Sequence, residues 1–211
     1  TERMFVERYV VENGEYRASM LDDDTTFGIQ SSQKVGPTVA DDIKTSAIWS
    51  ILFALIAIAL YILIRFRNIS FSIGAVVGLV HDVLFILGIY SIFYSIMPFS
   101  LEIDQSFIAA ILTVIGYSIN DTVVVFDRIR ENVGLYPKRA LNQLINMSVN
   151  STLSRTFSTS FSTALPLLAM FIFGGEAIRG FVFAILLGVI VGTYSTIFIA
   201  SPIAYDIQEK Q

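Results

Sequence analysis

The sequence predicts an all-α polytopic membrane protein with five transmembrane helices, preceded by a small α+β extracytoplasmic segment. Three observations predict it. Hydrophobic residues make up 54% of the 211 residues and charged residues 15%, where a soluble domain carries roughly a quarter charged residues. The missing charge is confined to long blocks. Five such blocks reach or approach the ~20 residues that a helix needs to cross a bilayer.

The same composition narrows the chemistry. The chain has no cysteine, so it has no disulfide framework and no thiolate metal site. Its single histidine, His81, stands outside any His-Glu-x-x-His pattern, which argues against a zinc enzyme. A net charge of −4 without a basic patch points away from nucleic acid. The chain opens at Thr1 with polar sequence, and it is expected to be a piece of a longer protein.

Residues 1–44 differ from the rest and are expected to be the end of an extracytoplasmic α+β domain. Residues 9–17 predict a β-hairpin, because Asn13-Gly14 is a favoured pair for a type I′ turn. A polar loop follows at 22–26, and 27–31 is expected to be a further short strand. Gly36-Pro37-Thr38 marks a helix entry, with Pro37 in the first turn.

The membrane part, 45–207, is expected to hold helices at about 45–65, 70–97, 106–127, 156–173 and 178–205, leaving 208–211 as a tail. Backbone groups facing lipid must be paired internally, so each span should be helical. Arg65 and Arg67 follow the first span, and Arg128, Arg130, Lys138 and Arg139 follow the third. The loops after the second and fourth spans carry Glu102, Asp104 and Glu176 instead. The positive-inside bias then places the N-terminal segment outside the cell and the C-terminus in the cytoplasm. Between spans three and four, Ala140, Leu141, Leu144, Ile145 and Ser148 recur at helical spacing. They predict a separate amphipathic helix over about 137–150, resting on lipid headgroups at the cytoplasmic surface or gating a polar path.

Polar groups inside hydrocarbon are costly, so they mark function first. The second span carries His81-Asp82 near its middle, with Gly74 two turns and Gly78 one turn before Asp82, a small-residue face that admits a close neighbour. The third span carries Tyr117-Ser118-Ile119-Asn120-Asp121-Thr122. The fourth opens with Arg155, and Ser158, Thr159, Ser162 and Thr163 suggest a polar stripe up its wall. A carboxylate at 121 and a guanidinium at 155 can pair across helices. Arg155 keeps its proton, so protonation of Asp121 would break the pair and change helix packing. The structural alternative is an Asp121–Arg155 pair that only fixes helix register. Arg155 could equally snorkel to the interface.

The long segment from Ile115 through Asn120-Asp121-Thr122 to Asp127-Arg128-Ile129-Arg130-Glu131-Asn132 resembles the signature of the SecF membrane proteins. Asn150-Ser151-Thr152-Leu153-Ser154-Arg155-Thr156 is similar to the motif that follows it, His81-Asp82-Val83 to the acidic second-span motif, and Val35-Gly36-Pro37 to the segment ahead of the membrane helices. Asn-Asp-Thr in the third span favours a SecF half over a SecD half. The resemblance covers the chain from Val35 onward, in matching order. It implies one half of a pseudo-symmetric SecD/SecF assembly of twelve helices in the bacterial inner membrane, similar to the resistance-nodulation-division transporters. It further implies proton-driven assistance to preproteins leaving the Sec translocon channel, with unfolded preprotein on the outer side, a SecD half (separate or fused) and membrane lipids as partners. The proton relay it implies comprises Asp121 and Arg155, with Asp82 added from its depth. Tyr117, Ser118, Asn120, Thr122, Ser158, Thr159 and Ser162 are the expected polar path. No enzymatic activity, cofactor or metal is implied, and the coupling ion is expected to be H⁺. Three other classes stay open from the residues: a small-molecule or lipid exporter of the resistance-nodulation-division type, a structural subunit, and an aspartyl intramembrane protease. The last lacks the Gly-x-Gly-Asp context around Asp82 and Asp121.

Overall fold

The computed structural model describes residues 8–12, 15–19 and 37–210, with side-chain surroundings from Thr45 onward. Two compact units divide the chain at Asp42–Ile43. In the first, β1 (Arg8–Glu12) and β2 (Glu15–Ser19) pair antiparallel, with Arg8 opposite Ser19 and Glu12 opposite Glu15. That register leaves a two-residue connection, as the expected hairpin requires. Asn13-Gly14 themselves, and the strand expected at 27–31, lie outside the described residues.

The second unit is all helix. The elements are α1 (Pro37–Phe66), α2 (Ile69–Phe93), α3 (Gln105–Leu135), α4 (Leu141–Phe173), α5 (Glu176–Ser195), a π-helical segment (Thr196–Ala200) and α6 (Ser201–Glu209). Among the described residues, five helical runs are long and apolar enough to cross a membrane, the last being Glu176–Glu209 as one continuous rod. The membrane part is therefore all-α and multi-pass.

Local chemistry explains the joints. Between α1 and α2, Arg67 takes a left-handed backbone (φ 52°) and donates its N–H to the Leu63 carbonyl, 2.8 Å, a helix-ending arrangement. Asn68 then caps α2 by accepting from the Ser70 N–H at 2.8 Å. Asp104 caps α3 in the same way, accepting from the Phe107 N–H at 2.8 Å.

α4 differs from expectation. The amphipathic stretch at 137–150 and the span at 156–173 are not two elements but one 33-residue helix beginning at Leu141. No glycine or proline interrupts it before Pro166, and Ser148, Thr152, Thr156 and Ser160 continue a single buried face at intervals of four. At 1.5 Å per residue α4 is about 50 Å long, longer than the ~30 Å hydrocarbon core. α3 likewise runs eight residues beyond its expected end, to Leu135. Asn132 near its C-terminus donates to the Ser148 hydroxyl at 2.7 Å, which fixes the two extensions against each other.

The interior holds two apolar clusters. One gathers Tyr90, Phe107, Ile111, Val114, Ile115 and Val189. The other gathers Ile62, Phe66, Phe71, Phe126, Ile129 and Ala200. Along α3 and the last rod, a band of polar side chains lies between them: Ser118, Asp121 and Thr122 on α3, and Thr193, Ser195 and Thr196 on the rod. α1 stays at the edge, with Trp49, Phe53 and Ile64 exposed. Its end is held by Ile62 and Phe66, by the Ser72 hydroxyl donating to the Ala59 carbonyl (2.8 Å), and by an exposed Arg65–Asp127 pair (3.1 Å).

Candidate proton-relay site

Asp82 is fully buried on α2. Ser118 of α3 donates to its Oδ2 at 2.7 Å, His81 Nδ1 stands 3.3 Å from its Oδ1, and the Ser195 hydroxyl also faces it. Adjacent residues leave a helix in different directions. His81 accordingly sits half-buried between Phe85 and Tyr194, with ring centroids 6.0 and 6.3 Å away.

Glycines set the helix separations. A Cβ on Gly74 would lie 2.6 Å from the Ala200 carbonyl oxygen, and one on Gly78 would lie 3.2 Å from the Ala200 Cβ. The close neighbour expected on this face of α2 is thus the last rod at its π-helical segment. On α5, a Cβ on Gly188 would overlap the Val114 side chain, and one on Gly192 would stand 3.0 Å from Ser118 Cβ and Oγ. Gly188-x-x-x-Gly192 therefore lets α5 press against the turn of α3 that carries Ser118.

Asp121 is 4% exposed and its Oδ2 has no hydrogen-bond partner among the described residues. The groups of α4 that face it are Arg155 and Ser160. Arg155 does not come within ion-pair distance; it is exposed and lines a cavity of about 310 Å³ together with Val124, Asp127, Arg128, Glu131 and Thr152. The direct Asp121–Arg155 contact expected from the sequence is absent from this conformation.

The expected polar path divides in two. Ser118 and Thr122 are buried in the band, with Thr122 in a 2.9 Å hydroxyl–hydroxyl bond to Thr196. Tyr117 has a buried hydroxyl without a partner among the described residues, whereas Asn120 is exposed. On α4, Ser158, Thr159 and Ser162 return their hydroxyls to the carbonyls of Ser154, Arg155 and Ser158 (2.8, 2.9 and 2.7 Å), and Ser158 and Ser162 are exposed. The inward stripe is instead Ser148, Thr152, Thr156 and Ser160. Ser160 shares a 2.5 Å hydrogen bond with Thr193 of α5, while Thr156 Oγ1 is buried and has no partner among the described residues. Thr156, Ser160, Thr193, Ser195 and Thr196 were not expected; the four-residue spacing of hydroxyls from Ser148 to Ser160 is the signal that marks two of them. Among the described residues, no three His, Cys, Asp or Glu side chains come together to hold a metal ion.

Comparison with known proteins identifies the family. Residues 16–210 match the family model for the C-terminal part of the protein export membrane proteins SecD/SecF. The chain is 49% identical over 176 residues to the protein translocase subunit SecF of Rhodothermus marinus, covering 83% of this chain and 57% of that protein. It is 47% identical over 180 residues to the SecF of Rhodobacter capsulatus, covering 85% and 52%. The chain thus spans about half the length of the curated relatives it matches. A crystal structure of SecDF in its super-membrane-facing form aligns with a TM-score of 0.71 at 39% identity, over 83% of this chain and 22% of that one. The chain belongs to the SecD/SecF family of protein export membrane proteins.

Proposed function

We propose that this chain is the SecF part of a proton-motive-force-driven accessory complex for Sec-dependent preprotein translocation across the bacterial inner membrane. It works with a SecD half, separate or fused, beside the translocon channel and among membrane lipids, with unfolded preprotein engaged on the outer side. It is not an enzyme, and the coupling ion is H⁺. The names and structures of its relatives support the assignment, and the distribution of Arg and Lys supports an outside N-terminal segment and a cytoplasmic C-terminus.

The single observation that carries the mechanism is Asp121, a carboxylate closed into the membrane bundle with one oxygen unpartnered and a guanidinium nearby but not bound. A buried charge without a partner is costly. Asp121 relieves that cost either by taking a proton or by drawing in Arg155, and the two solutions need different α3–α4 packing. Asp82, held by Ser118, contributes a second carboxylate, and residues of the partner half complete the route. Export of a preprotein in cells carrying Asp121→Asn in the full-length protein, with membrane level and SecD assembly measured alongside, tests the assignment. Lost export from a normally assembled complex is expected, and undiminished export contradicts it.

A further inference from the structure

One turn of the last rod is hydrogen-bonded to two other helices and faces a third, the Ser195 hydroxyl itself donating to the Gly192 carbonyl at 3.2 Å. Thr193 meets Ser160 of α4 at 2.5 Å, Ser195 faces Asp82 of α2, and Thr196 meets Thr122 of α3 at 2.9 Å. The first two partners lead to the two buried carboxylates: Ser160 faces Asp121, and Asp82 is itself the other. Gly192, one residue earlier, packs directly on Ser118, the donor to Asp82.

The same turn opens onto the π-helical segment Thr196–Ala200. The Ser201 N–H bonds to the Thr196 carbonyl, five residues back, and the Ser201 hydroxyl bonds to the same oxygen at 2.8 Å. Such segments are rare and often stand at functional sites. Gly74 and Gly78 of α2 pack against Ala200 at the end of this segment.

We propose that the Thr193–Thr196 turn is a positioning element that links the two carboxylates through the last helix, and that Thr193 acts as a positioning residue by holding the Ser160 hydroxyl toward Asp121. The inference rests on the proton-relay role proposed above for Asp121. A change at Asp121 then reaches Asp82 within this half of the assembly, by way of α5, without crossing to the partner half.

The test uses the full-length protein with its SecD half and compares Thr193→Val, Thr193→Ser and Ser160→Ala. The primary readout is the infrared band of the Asp121 carboxyl group, protonated or ionised, assigned by its loss in Asp121→Asn. Thr193→Val is expected to shift that band as Ser160→Ala does, and Thr193→Ser to restore it. Export should fall about five- to tenfold in Thr193→Val, the loss of one buried hydrogen bond, with assembly unchanged. If Thr193→Val does not assemble, Thr193→Ser against Thr193→Ala carries the same comparison. An Asp121 band unmoved by loss of the Thr193 hydroxyl overturns this inference. Undiminished export by Asp121→Asn overturns the relay role instead, and the band reports independently of that outcome.

Discussion

Ser118 of α3 donates a 2.7 Å hydrogen bond to the fully buried carboxylate of Asp82 on α2, and Gly192 of α5 closes over Ser118 from the other side. Three helices therefore meet at one hydroxyl. Ser118→Ala removes a donor from a buried acid and should cost about 1–3 kcal/mol of stability. Thermal unfolding of the purified protein in detergent measures it. Ser118→Thr adds a methyl group where α5 leaves no room and is expected to be at least as damaging.

The glycines of the bundle are expected to fall into two classes. Gly188→Ala forces a Cβ into Val114, and overpacking of this kind costs about 1–3 kcal/mol. Gly88→Ala meets nothing within 4 Å and sits inside α2, so it should be neutral or stabilise by roughly 0.5–1 kcal/mol. Gly188→Ala should lower the unfolding midpoint, whereas Gly88→Ala should leave it unchanged or raise it.

Near the C-terminal end of α1, packing outweighs charge. Phe126 is fully buried and touches Phe66 and Phe71, with centroids 6.1 and 4.8 Å away. Phe126→Ala should cost about 3–5 kcal/mol. The Arg65–Asp127 pair is exposed on both sides, and Asp127→Asn should cost less than about 1 kcal/mol. A loss larger for Asp127→Asn than for Phe126→Ala would contradict this account of how α1 is held.

The inward face of α4 should be more sensitive than the stripe beside it. Ser158→Ala and Ser162→Ala remove exposed hydroxyls bonded to their own helix and should leave export within about twofold, consistent with the small effects of surface substitutions. Ser160→Ala removes the bridge to Thr193 and should lower export by about five- to tenfold.

The pattern of spans was legible because hydrocarbon admits so few solutions: long apolar blocks must be helices. The hairpin was legible from Asn13-Gly14, and the packing role of Gly74 and Gly78 from their spacing. Within α4 the sequence misled in two ways. Amphipathicity at 137–150 suggested a surface helix, yet nothing chemical ends that helix before the span, so the two merged. Hydroxyls occur at Ser158, Thr159, Ser160, Ser162 and Thr163, and composition alone does not say which face turns inward; α5, through Thr193, decides it. The role of the Thr193–Thr196 turn depends on partners distant in the chain and on a π-helical segment, neither of which leaves a periodic mark.

The central claim is that Asp121 carries the proton that drives export. The most direct measurement follows preprotein translocation into inner-membrane vesicles containing the full-length protein and its SecD half, with and without an imposed proton motive force. The account predicts that the wild-type complex is accelerated by that force, whereas an equally assembled Asp121→Asn complex gains none of the acceleration this complex supplies. Equal acceleration of the two would contradict it.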